Sequence, residues 1–355
     1  MHRISAIPVT AIKTEAQAQE FCALAPALTQ AQFHQGQPDQ HLIAHVDGRV
    51  VARCSLWWLS ASTASKWVPG ERVGCIGHYA ATDRAAAAQL LTTACAHLEA
   101  AGCTLAMGPL DGSTFRAYRL VTAQTLTNEA PHPPFLLEPS NPDVWPDDFR
   151  AAGFDVWSEY VSDLAPIDGP DPKLARRTAA LAEQGIQLRT LDATLFSQTA
   201  TASTAFDHEL ARIYPLVMTA FANNPLFNAI SYGEFHAQYA PVRALLVPEL
   251  VVMAEREDEL VGLLFALPDF AQAQRGAAID TVILKTLAVL PSLSGIGLGS
   301  LLTAHVHTRA HELGYRWAIH ALMHIQNRSR RISAHTAQPF RRYALFARPL
   351  TPSLH

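Results

Sequence analysis

Three alternate glycines, Gly295, Gly297 and Gly299, follow an apolar run that ends at Val289 and precede a segment with helical apolar spacing. Pro291 turns the chain between the two. Glycines so spaced let bare main chain approach an anion, and the free amides and positive dipole end of a helix starting there favour negative charge. Ser294, Gly295, Ile296, Gly297, Leu298, Gly299 and Ser300 are therefore candidates for holding a diphosphate. A P-loop would need a lysine after its glycines, and this run has none. The dinucleotide fingerprint G-x-G-x-x-G fails on spacing, and it opens a parallel βαβ unit, whereas hairpin patterns precede this loop.

Other chemistry-bearing residues give weaker patterns. His307 and His311 stand four apart on the helix expected after the loop, a zinc-compatible spacing, but HTRAH lacks the glutamate of H-E-x-x-H and a third ligand. Solvent-facing histidines and no metal are expected. Asp111-Gly-Ser-Thr reads as an ordinary turn, whose residues bond their own backbone. Arg328, Arg330 and Arg331 read as a solvated helix face. His320, His324, Asp280, Glu249 and Tyr343 fall on strands or strand ends and are the titratable groups open to proton transfer.

The elements that position these residues occur twice. Alternating apolar residues around a polar turn at residues 41–58 and again at 249–267, about 209 residues on, each predict a β-hairpin. After each comes a strand, then an amphipathic helix ending at Gly102 or Gly314, an offset of 212, then another apolar strand. The second helix has Leu298, Leu301, Leu302, Val306 and Leu313 as its apolar face. Two copies of one β-β-β-α-β unit account for this order. At the positions of the glycines, the first copy has Asp83, Ala85 and Ala87. A carboxylate and methyl groups there predict no phosphate site in that copy. Prolines 166, 170 and 172 predict a linker over residues 166–186 between domains 1–165 and 187–355. The six-proline stretch 131–146 predicts a stiff surface loop against the neighbouring domain.

The run Ser294-Gly-Ile-Gly297-Leu-Gly299, at a strand-to-helix turn after a hairpin, resembles the acyl-coenzyme A loop of the GCN5-related N-acetyltransferases, Q/R-x-x-G-x-G/A. Serine replaces the Gln or Arg. The resemblance covers about residues 187–350, and the first half repeats its element order without the loop. It implies an α/β (α+β) fold of two tandem acyl-CoA N-acyltransferase-like domains, with mixed, mostly antiparallel sheets flanked by helices and a degenerate first copy. It further implies that acetyl-CoA is the co-substrate and that Leu287, Ala288 and Val289 pair with the pantetheine arm. Asn327 would contact the coenzyme. The amine of a small molecule or peptide would attack the thioester directly, in a ternary complex. The tyrosine acid usual in the family is Ala334 here, so His324 is the first candidate acid or base and Tyr343 the replacement acid. Two readings stay open beside this one: a non-catalytic acyl-CoA-binding protein, and a transferase of the same fold with a different donor.

Composition bounds the rest. Lys plus Arg is 27 and Asp plus Glu 31 in 355 residues, a net −4 without the basic excess nucleic-acid binding needs. No apolar run reaches membrane-spanning length and no secretory signal is evident, so the expected location is cytoplasmic, with no membrane partner. The five cysteines, all before residue 104 and without C-x-x-C spacing, read as apolar packing residues in a reducing compartment. Oligomeric state and acceptor identity have no sequence signal.

Overall fold

A computed structural model describes residues 7–58, 67–123, 132–196, 200–326 and 337–350. The first half begins with β1 (Val9–Ala11), α1 (Glu15–Ala23) and α2 (Gln30–His34). The hairpin β2 (Gln40–Val46) and β3 (Arg49–Trp58) follows, then β4 (Val73–Ala81), α3 (Arg84–Ala100), β5 (Leu105–Gly108) and β6 (Leu120–Ala123). Helix α4 (Trp145–Ala151) and the long strand β7 (Asp155–Pro166) close it. Helix α5 (Leu174–Ala182) leads into β8 (Gln187–Thr190), α6 (Ala200–Phe221) and α7 (Tyr232–Tyr239). The second hairpin is β9 (Val251–Arg256) and β10 (Glu259–Pro268), followed by α8 (Phe270–Gln274), β11 (Thr281–Val289), α9 (Leu298–Glu312), β12 (Trp317–His324) and β13 (Gln338–Pro349).

The duplication read from the sequence is present. Both hairpins close on two residues with positive φ, Asp47-Gly48 and Glu257-Asp258, the geometry that matches strand twist. In each copy the third strand is antiparallel to the hairpin and then parallel to a fourth, β4 to β5 and β11 to β12. The crossover helix covers one sheet face. Leu90, Leu91, Ala94 and Leu98 of α3 share a core with Leu42, Cys54 and Leu56, and Leu298, Leu301, Leu302 and Val306 of α9 share one with Val252, Ala254, Val261 and Leu264. Each fully buried leucine contributes about 2 kcal/mol. Leu313, expected on that face, is exposed because α9 ends at Glu312.

The halves join in one sheet of order β1-β2-β3-β4-β5-β13-β7-β12-β11-β10-β9-β8, with β6 also on β13. Two strands are exchanged at its centre. β13, which ends the second half, lies between β5 and β7 of the first; β7, which ends the first half, lies between β13 and β12 of the second. The proline-rich segment packs over the second half as expected. Phe135 enters that core, the Leu136 amide donates to Asp269 Oδ1 at 2.8 Å, and Arg275 Nη1 donates to the Pro134 carbonyl at 2.7 Å. All five cysteines are buried and unpaired.

Candidate active site

β11 and β12 run side by side from Thr281↔Trp317 to Leu284↔His320 and then part. Past that point β11 keeps only β10, through pairs such as Leu264↔Leu287, Leu263↔Ala288 and Gly262↔Val289. Among the described residues, the β12-facing main chain of Leu287 and its neighbours is left without a strand partner. A bulge makes Lys285 the extra residue here, because Phe265 pairs with Thr286 and Ala266 with Leu284. On the other side β12 also bulges: Leu322 has φ 58° and its amide donates to the Ser162 hydroxyl at 3.0 Å. The gap opens into a cleft of about 1140 Å³ lined from both halves.

The glycine loop lies beyond the far end of β11. Gly295 and Gly297 have φ 93° and 87°, a left-handed backbone that other residues adopt only with strain. Nothing lies within 4 Å of where a Cβ would stand on either, so the space in front of the loop is open. Gly297 is the N-cap of α9 and supplies no side-chain cap, leaving the first-turn amides of Leu298, Gly299 and Ser300 for an outside acceptor. Ser300 Oγ accepts a hydrogen bond from Arg177 Nη2 at 2.8 Å, and Arg177 Nη1 pairs with Asp171 at 3.0 Å. This cation beside the loop comes from α5, inside the stretch whose prolines read as linker. The leucine spacing of that helix was its only signal.

In the first half the same place is closed. Asp83 caps α3, its carboxylate accepting the Ala86 amide at 2.7 Å where an anion would sit. β4 and β5 also part, after Cys75↔Met107, but the chain fills its own gap. The Leu110 amide donates to the Ile76 carbonyl at 2.8 Å, and the His78 amide to Asp111 Oδ1 at 2.7 Å. Asp111, expected in a mere turn, is thus buried at the cleft wall. Burial pushes its carboxyl up to about 7 and pushes the His78 ring down to about 4, so near neutral pH neither holds a full charge. His78 also meets the Ser55 hydroxyl at 2.9 Å.

The other sequence candidates separate. His324 lines the cleft, with its ring edge-on to Tyr160 and its Nδ1 accepting the Gln326 amide at 3.1 Å. Burial, then the charge of Arg119, holds its pKa below the ordinary range. Tyr343 is 1% exposed and lies behind the cleft wall, its hydroxyl 3.0 Å from Ser162 Oγ and donating to Glu138. Burial raises its pKa, which makes it a poorer acid. His320 is buried and its Nε2 sits 3.2 Å from Nε2 of His307, so His307 turns inward rather than to solvent, while His311 is exposed. Burial pushes both paired rings down, to about 3 for His320 and about 4 for His307. Asp280 and Glu249 do not line the cleft. Asn327, Arg328, Arg330, Arg331 and Ala334 lie outside the described residues. The sequence reading missed Lys285 and Arg119, both cleft residues. Among the described residues, no cluster of three or more His, Cys, Asp or Glu is placed for a metal, and no helix is long and apolar enough to cross a membrane.

No protein-family profile and no curated protein matches the chain. Solved structures do. A GCN5-related glucosamine N-acetyltransferase region of a fungal multi-domain GH3 β-N-acetylglucosaminidase aligns over 97% of this chain at 11% identity and a TM-score of 0.54; the chain spans 38% of that protein. A probable N-acyltransferase from Enterococcus faecalis V583 aligns over 98% of this chain and 74% of its own length, at 11% identity and a TM-score of 0.53. A tandem GNAT protein from the clavulanic acid biosynthesis pathway aligns over 98% of this chain and 99% of its own, at 12% identity and a TM-score of 0.49. The fold is that of the GCN5-related N-acetyltransferases, in tandem, with the helix start after the glycine loop uncapped by a side chain in the second copy and capped by Asp83 in the first. At these identities the likeness is one of fold.

Proposed function

We propose that this protein is an N-acyltransferase that moves an acetyl group from acetyl-CoA to an amine of a small molecule or peptide, in a ternary complex in the second half. What carries the reading is the parting of β11 and β12 beyond Leu284 and His320, with the bare loop at one end and the large cleft at the other. The α9 amides, with Ser300 and Arg177 beside them, hold the diphosphate. The free edge of residues 287–289 pairs with the pantetheine arm. A strand amide near the Lys285 bulge donates to the thioester oxygen as negative charge develops there.

The amine nitrogen attacks the thioester carbon; the C–N bond forms, the C–S bond breaks, and the thiolate leaves with the coenzyme. His324 takes the proton the nitrogen sheds, and its depressed pKa keeps the ring unprotonated for that task at neutral pH. The buried cysteines leave no thiol to form a covalent enzyme intermediate. Calorimetric titration with acetyl-CoA and with longer acyl thioesters tests the reading. One site with preference for acetyl is expected in the wild type, and a loss of about 30-fold or more in Gly297→Asp, from like charge and left-handed strain together. Unchanged affinity in Gly297→Asp would overturn the assignment.

A further inference from the structure

We infer that the acceptor amine carries an anionic group, a carboxylate or a phosphate, and that Arg119 and Lys285 bind it at the centre of the cleft. The identity of this molecule as acceptor rests on the acyl-transfer reading above. The anion subsite rests on the cleft itself.

Arg119 is 9% exposed and lines the cleft with a left-handed backbone, φ 66°. Its guanidinium lies over the rings of Tyr118 and Tyr160, 3.9 and 4.3 Å from their centroids, and Nη1 donates to the Leu322 carbonyl at 3.1 Å. Among the described residues its Nε has no hydrogen-bond partner. A buried charged donor left unmet is costly unless a ligand meets it. Lys285 comes from the opposite half, on the bulge, and its Nζ donates to the Leu137 carbonyl at 3.1 Å. Among the described residues it makes no ion pair. Burial and the nearby charge of Arg119 bring its pKa down to about 8, as expected of two cations held close in a partly dry space.

Glu138 is the acid whose charge reaches Lys285, and its carboxylate is already engaged by Arg341 and Tyr343. The cleft lining has four basic side chains, Arg53, Arg116, Arg119 and Lys285, against two acids, Asp111 and Glu138, in a chain of net −4. Arg53 is spent on the carbonyls of Phe21, Leu24 and Pro26, and Arg116 on Glu234. Glu138 is held by Arg341 and Tyr343, and Asp111 by His78. Arg119 and Lys285 remain. The coenzyme's phosphates do not account for them: Lys285 is four strand residues, about 13 Å, before Val289, and the glycine loop lies further on. At the thioester end of the groove the anion must belong to the second substrate. The same two charges would lower the pKa of a bound ammonium and so favour the neutral, nucleophilic amine.

Thiol release from acetyl-CoA would be followed with matched acceptors: amino acids against the amines lacking their carboxylate, and amino-sugar phosphates against the free amino sugars. Binding of the non-reacting probes N-acetylglycine, inorganic phosphate and N-methylacetamide would be titrated on the same protein. The wild type should prefer one anionic series, and Arg119→Gln and Lys285→Met should each lower that preference about 10- to 100-fold, as for lost charge-assisted hydrogen bonds. Coenzyme affinity in Arg119→Gln should stay within about threefold, because that contact lies elsewhere. If neutral or cationic acceptors match anionic ones, if no anionic probe binds, or if the preference survives Lys285→Met, the inference falls. Anion binding that depends on Arg119 in a protein that binds no coenzyme would instead sink the acyl-transfer reading and leave the anion site standing.

Discussion

Asp83 and Gly297 are each the N-cap of a crossover helix, two residues apart in the register of the duplication, and only Asp83 puts a carboxylate at its helix start. One helix start is thus satisfied from within and the other is left for a ligand. Asp83→Ala should lower stability by about 1 kcal/mol, the usual cost of an N-cap, as read by urea denaturation. Coenzyme stoichiometry should remain one per chain, because Ala85, Ala87 and the filled β4–β5 gap still exclude a second. Two coenzymes bound to Asp83→Ala would show that the carboxylate alone closes the first copy.

His324 and Tyr343 should respond in opposite ways. His324→Gln should lower kcat and kcat/KM together by about 100-fold, the range of a lost general base, with coenzyme affinity unchanged. The wild-type rate should fall with acid only below the ordinary imidazole value of 6.5, since the pKa is depressed, and that limb should vanish in the variant. Tyr343→Phe should cost about 1–3 kcal/mol of stability by stranding Ser162 and Glu138, with much less effect on kcat. A greater loss of kcat in Tyr343→Phe than in His324→Gln would reverse these roles.

Acid stability should depend on the buried pair His307 and His320. Their rings are pushed from 6.5 down to about 4 and about 3, so the unfolded chain takes up these protons first. Stability is full above pH 6.5 and is lost as pH falls toward about 4, by up to about 1.4 kcal/mol per pH unit for each ring. His78, down to about 4, acts in the same sense, but Asp111, up to about 7, acts in the opposite one, losing its contribution as pH rises from 3.8. Those two largely cancel across the window. His41, also down to about 4, keeps part of the slope. Urea midpoints at pH 7 and pH 5 should therefore lie closer together in His320→Gln than in the wild type; an unchanged gap would remove the pair from the account.

Local features of the fold were legible because they are written in neighbouring residues. The Asp47-Gly48 turn, the leucines of α9 and the left-handed demand met by Gly295 and Gly297 each leave a short-range trace, as does the Asp83 substitution. The cleft was not legible. That β11 and β12 part after Leu284 and His320 depends on what fills the gap, and no local pattern records it. Arg119 carries a left-handed backbone with nothing in its neighbours to announce it, and Lys285 reads as one polar residue in an apolar strand. The setting of Tyr343 was hidden for a similar reason: in RRYALFAR either strand face could have met the cleft, and pairing with β7 and β6 turns its hydroxyl onto Ser162 and Glu138.

Because β13 is wedged between β5 and β7, and β7 between β13 and β12, the halves are sewn together rather than hinged. Swinging one copy away from the other would tear ladders on both sides of the seam at once. The sheet itself therefore sets the distance between the glycine loop and Arg119 with Lys285, and on the acyl-transfer reading proposed above that distance is a fixed ruler for what can be joined.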